Sequence, residues 1–189
     1  MQSCAVLVQF ADQCVAALDS ASARETIYRL LSDLIADPPA LAEQIPRFAD
    51  DEVPVIPLGV RLGGESVVHR DERLTVMVLD TLPGVVQPPH EHRMDVCIGV
   101  FEGTEEQRFW TRTPDGIRST TGRMLEAGEV MALGSQAIHA ISAPADRPAR
   151  AVHVYLGDIY SVDRSVFHPE TLAEHPMTED LYNSYCLAI

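Results

Sequence analysis

Two histidines separated by one residue, His90 and His92, are the side chains whose type and spacing most directly suggest chemistry. On a β-strand, residues two apart point to the same face, so this pair can aim two imidazoles at one point. A third histidine, His139, lies in a later apolar stretch that follows Gly128, and adjacent antiparallel strands can bring it beside the first two. Three neutral imidazoles on one side of a metal ion leave the opposite positions free for other molecules. The pattern therefore predicts a metal site formed by His90, His92 and His139.

Two carboxylates lie close to the histidine pair in sequence. Glu91 and Asp95 stand at odd offsets from His90, so a regular strand turns both away from the metal. Val96 shares the face of the histidines but cannot bind a metal. The sequence therefore predicts a site of three histidines without a carboxylate ligand.

The segment before the histidines is predicted to be helical. Ser22 and Glu25 have the spacing of a capping box, and apolar residues follow at helical intervals up to Ile35. Asp37-Pro38-Pro39 ends this helix and can start a short second one. We expect residues 1–52 to form a helical segment that packs on the rest of the chain.

From residue 53 onward the sequence consists of short apolar stretches separated by Gly and Pro. Strands are predicted at residues 74–79, 96–101, 107–113, 129–133, 137–142 and 149–156. Many short strands at roughly even spacing are typical of a sandwich or a closed barrel. Short helical pieces are expected in the tail, around Pro169 to Glu174. We therefore predict one domain overall, in which residues 53–189 form a β-barrel with a C-terminal extension.

Composition and charge indicate which kinds of molecule the protein is not expected to bind. The formal net charge is −14, and all 14 basic residues are arginines. This field repels phosphate backbones, so we expect no nucleic-acid partner. The sequence lacks a long apolar run and a basic secretory start, so we expect a cytoplasmic protein without a membrane partner. The four cysteines form no C-x-x-C pair and are expected to be reduced thiols.

The histidine segment resembles the first motif of the cupin superfamily. That motif has a glycine, then His-x-His, a glutamate ligand and a second glycine at fixed spacings, and Gly84, His90, His92 and Gly103 meet them. The position of the glutamate ligand is occupied by Val96.

The second cupin motif is matched in part. Gly128 and His139 have the expected spacing, whereas the usual Pro, Gly and Asn positions hold Gly134, Gln136 and Ala143. The resemblance implies a mainly β fold, the cupin double-stranded β-helix or jelly-roll barrel, with the N-terminal helices packed on it. Cupins often dimerise through edge strands, so a homodimer remains open.

Three histidines without the glutamate make the sequence similar to the thiol dioxygenases, namely cysteine dioxygenase and 3-mercaptopropionate dioxygenase. Their Ser-x-His-x-Tyr strand corresponds to Ala151-x-His153-x-Tyr155, and Arg164 stands nine residues beyond the tyrosine, where the bacterial enzymes have a carboxylate-binding arginine. The resemblance implies an Fe(II) enzyme that uses dioxygen to convert a small thiol carboxylate to its sulfinate. It implies that His153 and Tyr155 are catalytic, that Arg164 binds the substrate, and that Ala151 holds His153 less firmly than the serine would.

Several alternatives remain open at the level of sequence. Cys97 is one residue away from the position of the crosslinked cysteine of animal cysteine dioxygenases, so no thioether to Tyr155 is expected. Zn, Ni or Mn also suit three imidazoles. A similar pattern occurs in cupins described only as predicted metal-dependent enzymes, in cupin dioxygenases that cleave a carbon–carbon bond of a diketone or hydroxyketone, and in non-catalytic binding cupins. The sequence does not decide which of Arg61, Arg70 and Arg73 lines the pocket.

Overall fold

The computed structural model of the protein describes residues 4–48, 55–144 and 146–188. The predicted boundary between residues 52 and 53 lies outside these ranges. The helices are α1 (Ala5–Ala17), α2 (Ala23–Leu34), α3 (Pro38–Gln44) and α4 (Glu179–Ser184). The strands are β1 (Glu65–Arg70), β2 (Thr75–Thr81), β3 (Val85–Val86), β4 (His90–Glu91), β5 (Val96–Glu102), β6 (Thr104–Thr113), β7 (Gly116–Ser119), β8 (Arg123–Glu126), β9 (Val130–Leu133), β10 (Ile138–Ser142), β11 (Ala149–Tyr155), β12 (Ser165–Phe167), β13 (Glu174–Pro176) and β14 (Leu187–Ala188).

The first part of the described chain is helical, as predicted. Helix α2 begins directly after Ser22, but the Ser22 side chain does not cap it. The hydroxyl of Ser22 lies 3.0 Å from that of Ser20 instead, so the predicted capping box does not form. Helix α3 begins at Pro38, and the Asp37 carboxylate accepts a hydrogen bond from the backbone of Ala40 at 3.3 Å. None of the described helices is both long and apolar enough to span a bilayer.

The strands form two antiparallel sheets. The first sheet has the order β1-β2-β11-β5-β9. The second has the order β13-β12-β4-β10-β3-β14, and β6 joins it by pairing with β10, β7 and β8. Leu125 of β8 and Phe109 of β6 belong to the same apolar cluster as Met77, Val96 and Tyr155 of the first sheet. The two sheets therefore face each other across a common interior.

Both faces of the first sheet are covered. Val152 and Val154 of β11 pack in one cluster with Leu7 of α1 and Leu31 of α2. Tyr155 of the same strand belongs to the interior cluster between the sheets. This alternation follows from the two-residue period of a strand. The predicted fold class, a mainly β jelly-roll barrel with N-terminal helices packed on it, is confirmed.

Arg150 connects the helical segment to the barrel. Its side chain is 1% exposed and makes an ion pair with Asp80 of β2 at 3.0 Å. The same guanidinium donates hydrogen bonds to the carbonyl oxygens of Ile45 at 3.1 Å and Pro46 at 2.8 Å, directly after α3. A buried arginine with several acceptors fixes its neighbours in direction as well as in distance.

The expectation for the C-terminal tail was wrong in its details. Residues 169–171 form a turn, strand β13 begins at Glu174, and the helix α4 comes later, at Glu179–Ser184. The side chain of Thr178 caps this helix by accepting from the backbone of Leu181 at 3.2 Å. After α4 the chain returns to the second sheet, where Leu187 pairs with Val86.

Candidate metal centre

The three histidines predicted as metal ligands meet in the second sheet. His90 of β4 and His139 of β10 are direct partners across antiparallel strands, and His92 follows two residues after His90. Each of the three offers one ring nitrogen, and these nitrogens lie within 4.8 Å of one another. The Nε2 atoms of His92 and His139 are 3.3 Å apart, a separation that suits two ligands each about 2.1 Å from one ion.

Hydrogen bonds orient two of the imidazoles toward a shared centre. The Nδ1 atom of His90 lies 3.0 Å from the carbonyl oxygen of Pro88, and a carbonyl can only accept. The Nδ1 atom of His139 lies 2.7 Å from the side-chain oxygen of Gln107. Both imidazoles therefore carry their proton on Nδ1 and turn the Nε2 lone pair toward the centre. This is the form in which histidine binds a metal, with the other ring nitrogen held by an outer partner.

Burial keeps these histidines neutral. Desolvation lowers the pKa of His90 to about 4. The hydrogen bond to the carbonyl oxygen of Pro88 acts in the opposite direction and raises this pKa, but it has the smaller effect. The pKa values of His92 and His139 are also lowered well below the usual range, first by desolvation and then by the neighbouring histidines. Neutral imidazoles are available to a metal without prior loss of a proton. The three residues therefore fit a divalent metal ion.

The nearby carboxylates have other partners, as the strand alternation predicts. Glu91 is 1% exposed and is bound by Arg93 at 2.5 Å and by Arg112 at 2.9 Å. Asp95 accepts from the backbone of Ser135 at 3.0 Å and lies 3.5 Å from Arg24. Within the part of the chain that the structure describes, the three histidines form the one group suited to hold a metal.

His153 and Tyr155 lie beside the histidine cluster on β11. The tyrosine ring meets the ring of His92 edge-on at 5.0 Å, and its hydroxyl lies 3.1 Å from Nδ1 of His153. Burial raises the pKa of Tyr155 and lowers that of His153 to about 3, so both groups are neutral. The Nε2 atom of His153 is buried and has no hydrogen-bond partner among the described residues. Ala151, two residues earlier, has no hydroxyl to offer.

Arg164 precedes β12 and is half-buried. It lines a cavity of about 580 Å³ together with Arg93, Ser165, Glu174 and His175. None of the three histidines lines this cavity, but the positive charge of Arg164 is, after desolvation, among the causes that lower the pKa values of His90 and His92. No carboxylate of the described residues forms an ion pair with Arg164.

Other candidate residues have structural partners. Arg70 makes two bonds to Asp158, at 2.8 and 2.9 Å, and Arg73 binds Asp19 at 2.7 Å. Cys97 packs in the cluster under the helices, on the face of the first sheet opposite to Tyr155. The geometry agrees with the expectation that Cys97 forms no thioether to the tyrosine.

The site also contains residues that the sequence did not reveal. Tyr182 of α4 lies edge-on to His90 at 5.3 Å, and its hydroxyl bonds to the side chain of Gln87. Gln107 of β6 holds His139, and Glu105 holds Gln107. A Glu-x-Gln pattern on a predicted strand is the signal that could have indicated the last two, because both side chains share one face. No local pattern points to Tyr182.

Comparison with known proteins adds structural likeness only. No protein-family model matches the chain. A DMSP lyase, DddQ from Ruegeria pomeroyi DSS-3, is 18% identical with a TM-score of 0.49, over 69% of this chain and 64% of the lyase. An oxalate oxidase in complex with glycolate is 17% identical with a TM-score of 0.42, over 51% of each chain. A cupin superfamily protein from Desulfitobacterium hafniense DCB-2 is 14% identical with a TM-score of 0.46, over 62% of this chain and 88% of that protein. The matched region thus spans less than two thirds of both the lyase and the oxidase.

Proposed function

We propose that the protein is an iron-dependent thiol dioxygenase that converts a small thiol carboxylate, such as 3-mercaptopropionate or cysteine, to its sulfinate. The observation that carries this proposal is the position of Tyr155, which lies against His92 of a three-imidazole site and is bonded to His153. A neutral ligand set favours an anionic sulfur ligand, because no protein carboxylate offsets the charge of the ion. Fe(II) would be held by His90, His92 and His139.

The reaction balances without a further reductant. A thiol and one dioxygen give one sulfinic acid: two S–O bonds form, the O–O bond breaks, and sulfur loses the four electrons that dioxygen gains. When bound, Fe(II) would supply a centre that accepts a thiolate and activates dioxygen. The proton of the thiol passes to solvent.

The residues of the chain orient the substrate and exclude water. Tyr155 keeps its proton, because burial raises its pKa, and its hydroxyl can therefore donate a hydrogen bond into the pocket. His153 fixes that hydroxyl from the other side. Tyr182 covers His90 and limits the access of bulk water.

Arg164 is the proposed anchor for the substrate carboxylate. A guanidinium binds a carboxylate through two parallel hydrogen bonds, which fixes both the position and the direction of the ligand. The other arginines near the site, Arg93 and Arg112, already bind Glu91. Arg164 has no such partner among the described residues, and its positive charge is among the causes that lower the pKa values of His90 and His92.

The proposal is tested by oxygen uptake after anaerobic reconstitution with Fe(II). The thiols are 3-mercaptopropionate, cysteine and cysteamine, and the product is identified by mass as the thiol plus two oxygen atoms. We expect uptake with the two carboxylated thiols and little with cysteamine, which lacks a carboxylate. The Tyr155→Phe variant should turn over more slowly while binding the metal as the wild type does.

Three outcomes would contradict the proposal. A flat oxygen trace with every thiol would favour a protein that binds metal without turnover. Oxygen uptake with a diketone or hydroxyketone instead, giving cleaved products, would favour carbon–carbon cleavage. Preference for cysteamine would remove the proposed role of Arg164.

A further inference from the structure

The metal site has a buried carboxylate nearby that the proposed reaction does not use. This carboxylate does not bond to a proposed ligand directly, but it bonds to a residue that does. Glu105 of β6 is 0% exposed. One of its oxygens, Oε1, accepts a hydrogen bond from the side-chain nitrogen of Gln107 at 2.6 Å. The side-chain oxygen of Gln107 lies 2.7 Å from Nδ1 of His139. A continuous chain of hydrogen bonds therefore leads from Glu105 to a proposed metal ligand.

The carboxyl group of Glu105 determines which atoms donate and which accept along this chain of hydrogen bonds. A primary amide has a donor end and an acceptor end of similar shape, so Gln107 alone could present either end to His139. Oε1 of Glu105 accepts the hydrogen bond in this arrangement, and it therefore selects the NH₂ end of the amide. The amide oxygen must then face His139, which must carry its proton on Nδ1 and keep Nε2 free.

We propose that Glu105 is a positioning residue of the metal centre, which acts through Gln107 to fix the tautomer of His139. The arrangement does not depend on the charge of Glu105. Its second oxygen, Oε2, is buried and makes no hydrogen bond to Gln107, so it can carry a proton while Oε1 accepts. Oε1 remains an acceptor for Gln107 whether the group is ionised or neutral.

A purely structural role explains the observations less well. Leu125 stands opposite Glu105 on β8 and belongs to the interior cluster, so an apolar side chain would suit this position. Burying a carboxylate costs stability, so the presence of Glu105 at this position needs another reason. The next residue, Glu106, shows the contrast: it lies on the opposite face and binds Arg108 at 3.1 Å.

The test compares Glu105→Met with the matched variant Glu106→Gln. Affinity for Co(II) is measured by competition with a chelator, and the protonation of each ring nitrogen of His139 in the metal-free protein is read from long-range ¹H–¹⁵N spectra. His139→Gln serves to assign the signals. We expect Glu105→Met to weaken Co(II) binding roughly 10- to 100-fold and to lose the pure Nδ1–H form of His139. Glu106→Gln should leave both readouts as in the wild type.

A second variant covers the case in which Glu105→Met does not fold. Glu105→Gln keeps the shape but offers either amide end to Gln107, so it should weaken Co(II) binding in the same direction by a smaller factor. Co(II) affinity within about threefold of the wild type in Glu105→Met would overturn the proposal. So would an unchanged His139 tautomer, whatever the affinity. The inference rests on the metal site of the proposed function, but both readouts are independent of any thiol, so the two proposals fail separately.

Discussion

The side chains around the three histidines differ in one respect that decides what can bind there. The imidazoles, Tyr155 and His153 are all held neutral by burial, whereas Arg164 carries a charge without a carboxylate partner among the described residues. The proposed substrate matches this contrast, because it offers a carboxylate to Arg164 and a sulfur atom to the metal.

Replacing Arg164 should affect substrate binding more than turnover. In Arg164→Ala we expect KM for 3-mercaptopropionate to rise about 10- to 100-fold, because a charge-assisted pair contributes roughly 1.5–3 kcal/mol. Arg164→Lys should be intermediate, since it keeps the charge and loses the planar fork. Steady-state oxygen uptake measures both constants. The control is Arg118→Ala, an exposed arginine on β7. An unchanged KM in Arg164→Ala would contradict the assignment.

Glu105 should give the protein a pH dependence of stability with a defined sign. Burial raises its pKa from the usual value of 4.5 to about 7 in the folded state. Because the pKa of Glu105 is higher in the folded than in the unfolded protein, protonation of this group stabilises the fold. This stabilisation is fully present below pH 4.5 and is lost as the pH rises through about 7. The difference in unfolding free energy between wild type and Glu105→Gln should therefore fall by up to about 3 kcal/mol across this window.

This difference is measured by urea unfolding of the metal-free proteins at several pH values. Contributions from the histidines are common to both proteins and cancel in the difference. A difference that is flat with pH, or that rises, would show that Glu105 is not a buried acid with a raised pKa.

The histidines could be predicted from sequence, whereas their supporting residues could not. The His-x-His spacing on a strand places two imidazoles on one face by local geometry alone. Gln107 and Glu105 act from another strand, and their register with His139 is set by the whole sheet. The alternation of side chains along a strand predicted that Glu91 points away from the metal site. It did not predict the two arginines that bind Glu91.

At the scale of elements, α2 packs against β5 through a close contact at Gly99. A Cβ atom at this position would lie 2.9 Å from Cγ of Leu31. Because that atom is near the base of the leucine side chain, rotation alone does not relieve the contact. Because Gly99 has no side chain, helix α2 packs closer to the sheet than it could with any other residue at this position.

We expect Gly99→Ala to lower the free energy of unfolding by about 1–3 kcal/mol, the usual cost of overpacking. Chemical denaturation measures this loss. Gly134→Ala is the matched control, because its added Cβ would meet its nearest atom, an oxygen of Asp95, only at 3.9 Å. Combining Gly99→Ala with Leu31→Ala should cost less than the sum of the single changes. Strict additivity would show that the two positions do not clash.

The segment after β13 places two tyrosines differently with respect to the metal centre. Tyr182 of α4 lies over His90, whereas Tyr185 of the same segment contacts His168 and His175, neither of which is one of the three predicted ligands. In Tyr182→Ala we expect a chelator to remove Co(II) roughly 10-fold faster, since the apolar cover limits solvent access. Tyr185→Ala should release the metal at the wild-type rate. Equal release rates for the two variants would count against a covering role for Tyr182.

Element types were predictable to different degrees. The six predicted strands coincide broadly with β2, β5, β6, β9, β10 and β11, because apolar stretches between turn residues mark them. The pairing of β11 between β2 and β5 joins residues far apart in sequence, and no local pattern encodes it. The tail was misjudged because its helix depends on the Thr178 cap rather than on a long apolar period.

At the scale of the whole molecule, Arg150 holds the helical segment and the barrel together. Its guanidinium binds Asp80, lies 3.4 Å from Glu102, and reaches the carbonyl groups that follow α3. Burial raises the pKa of Asp80 even though Arg150 lowers it. Removal of Arg150 therefore leaves Asp80 and two carbonyl groups without their donor.

Arg150→Ala should lower the free energy of unfolding by about 3–5 kcal/mol, as expected when one partner of a buried pair is removed. Arg147→Ala, which breaks an exposed pair with Asp146, should cost no more than about 1 kcal/mol. Urea unfolding followed by fluorescence and by circular dichroism measures both. A loss below about 1 kcal/mol in Arg150→Ala would mean that the buried guanidinium does not hold the helical segment to the barrel.

The two faces of strand β11 connect the packing under the helices with the position of Tyr155, and this affects which mutations could alter the site. Its alternate residues, Val152 and Val154 on one side and His153 and Tyr155 on the other, belong to a single rigid backbone. A substitution under α1 or α2 that shifts this backbone by a fraction of an ångström also moves the hydroxyl of Tyr155. Laboratory selection for altered turnover should therefore recover changes among the first 35 residues, remote in sequence from every residue of the pocket.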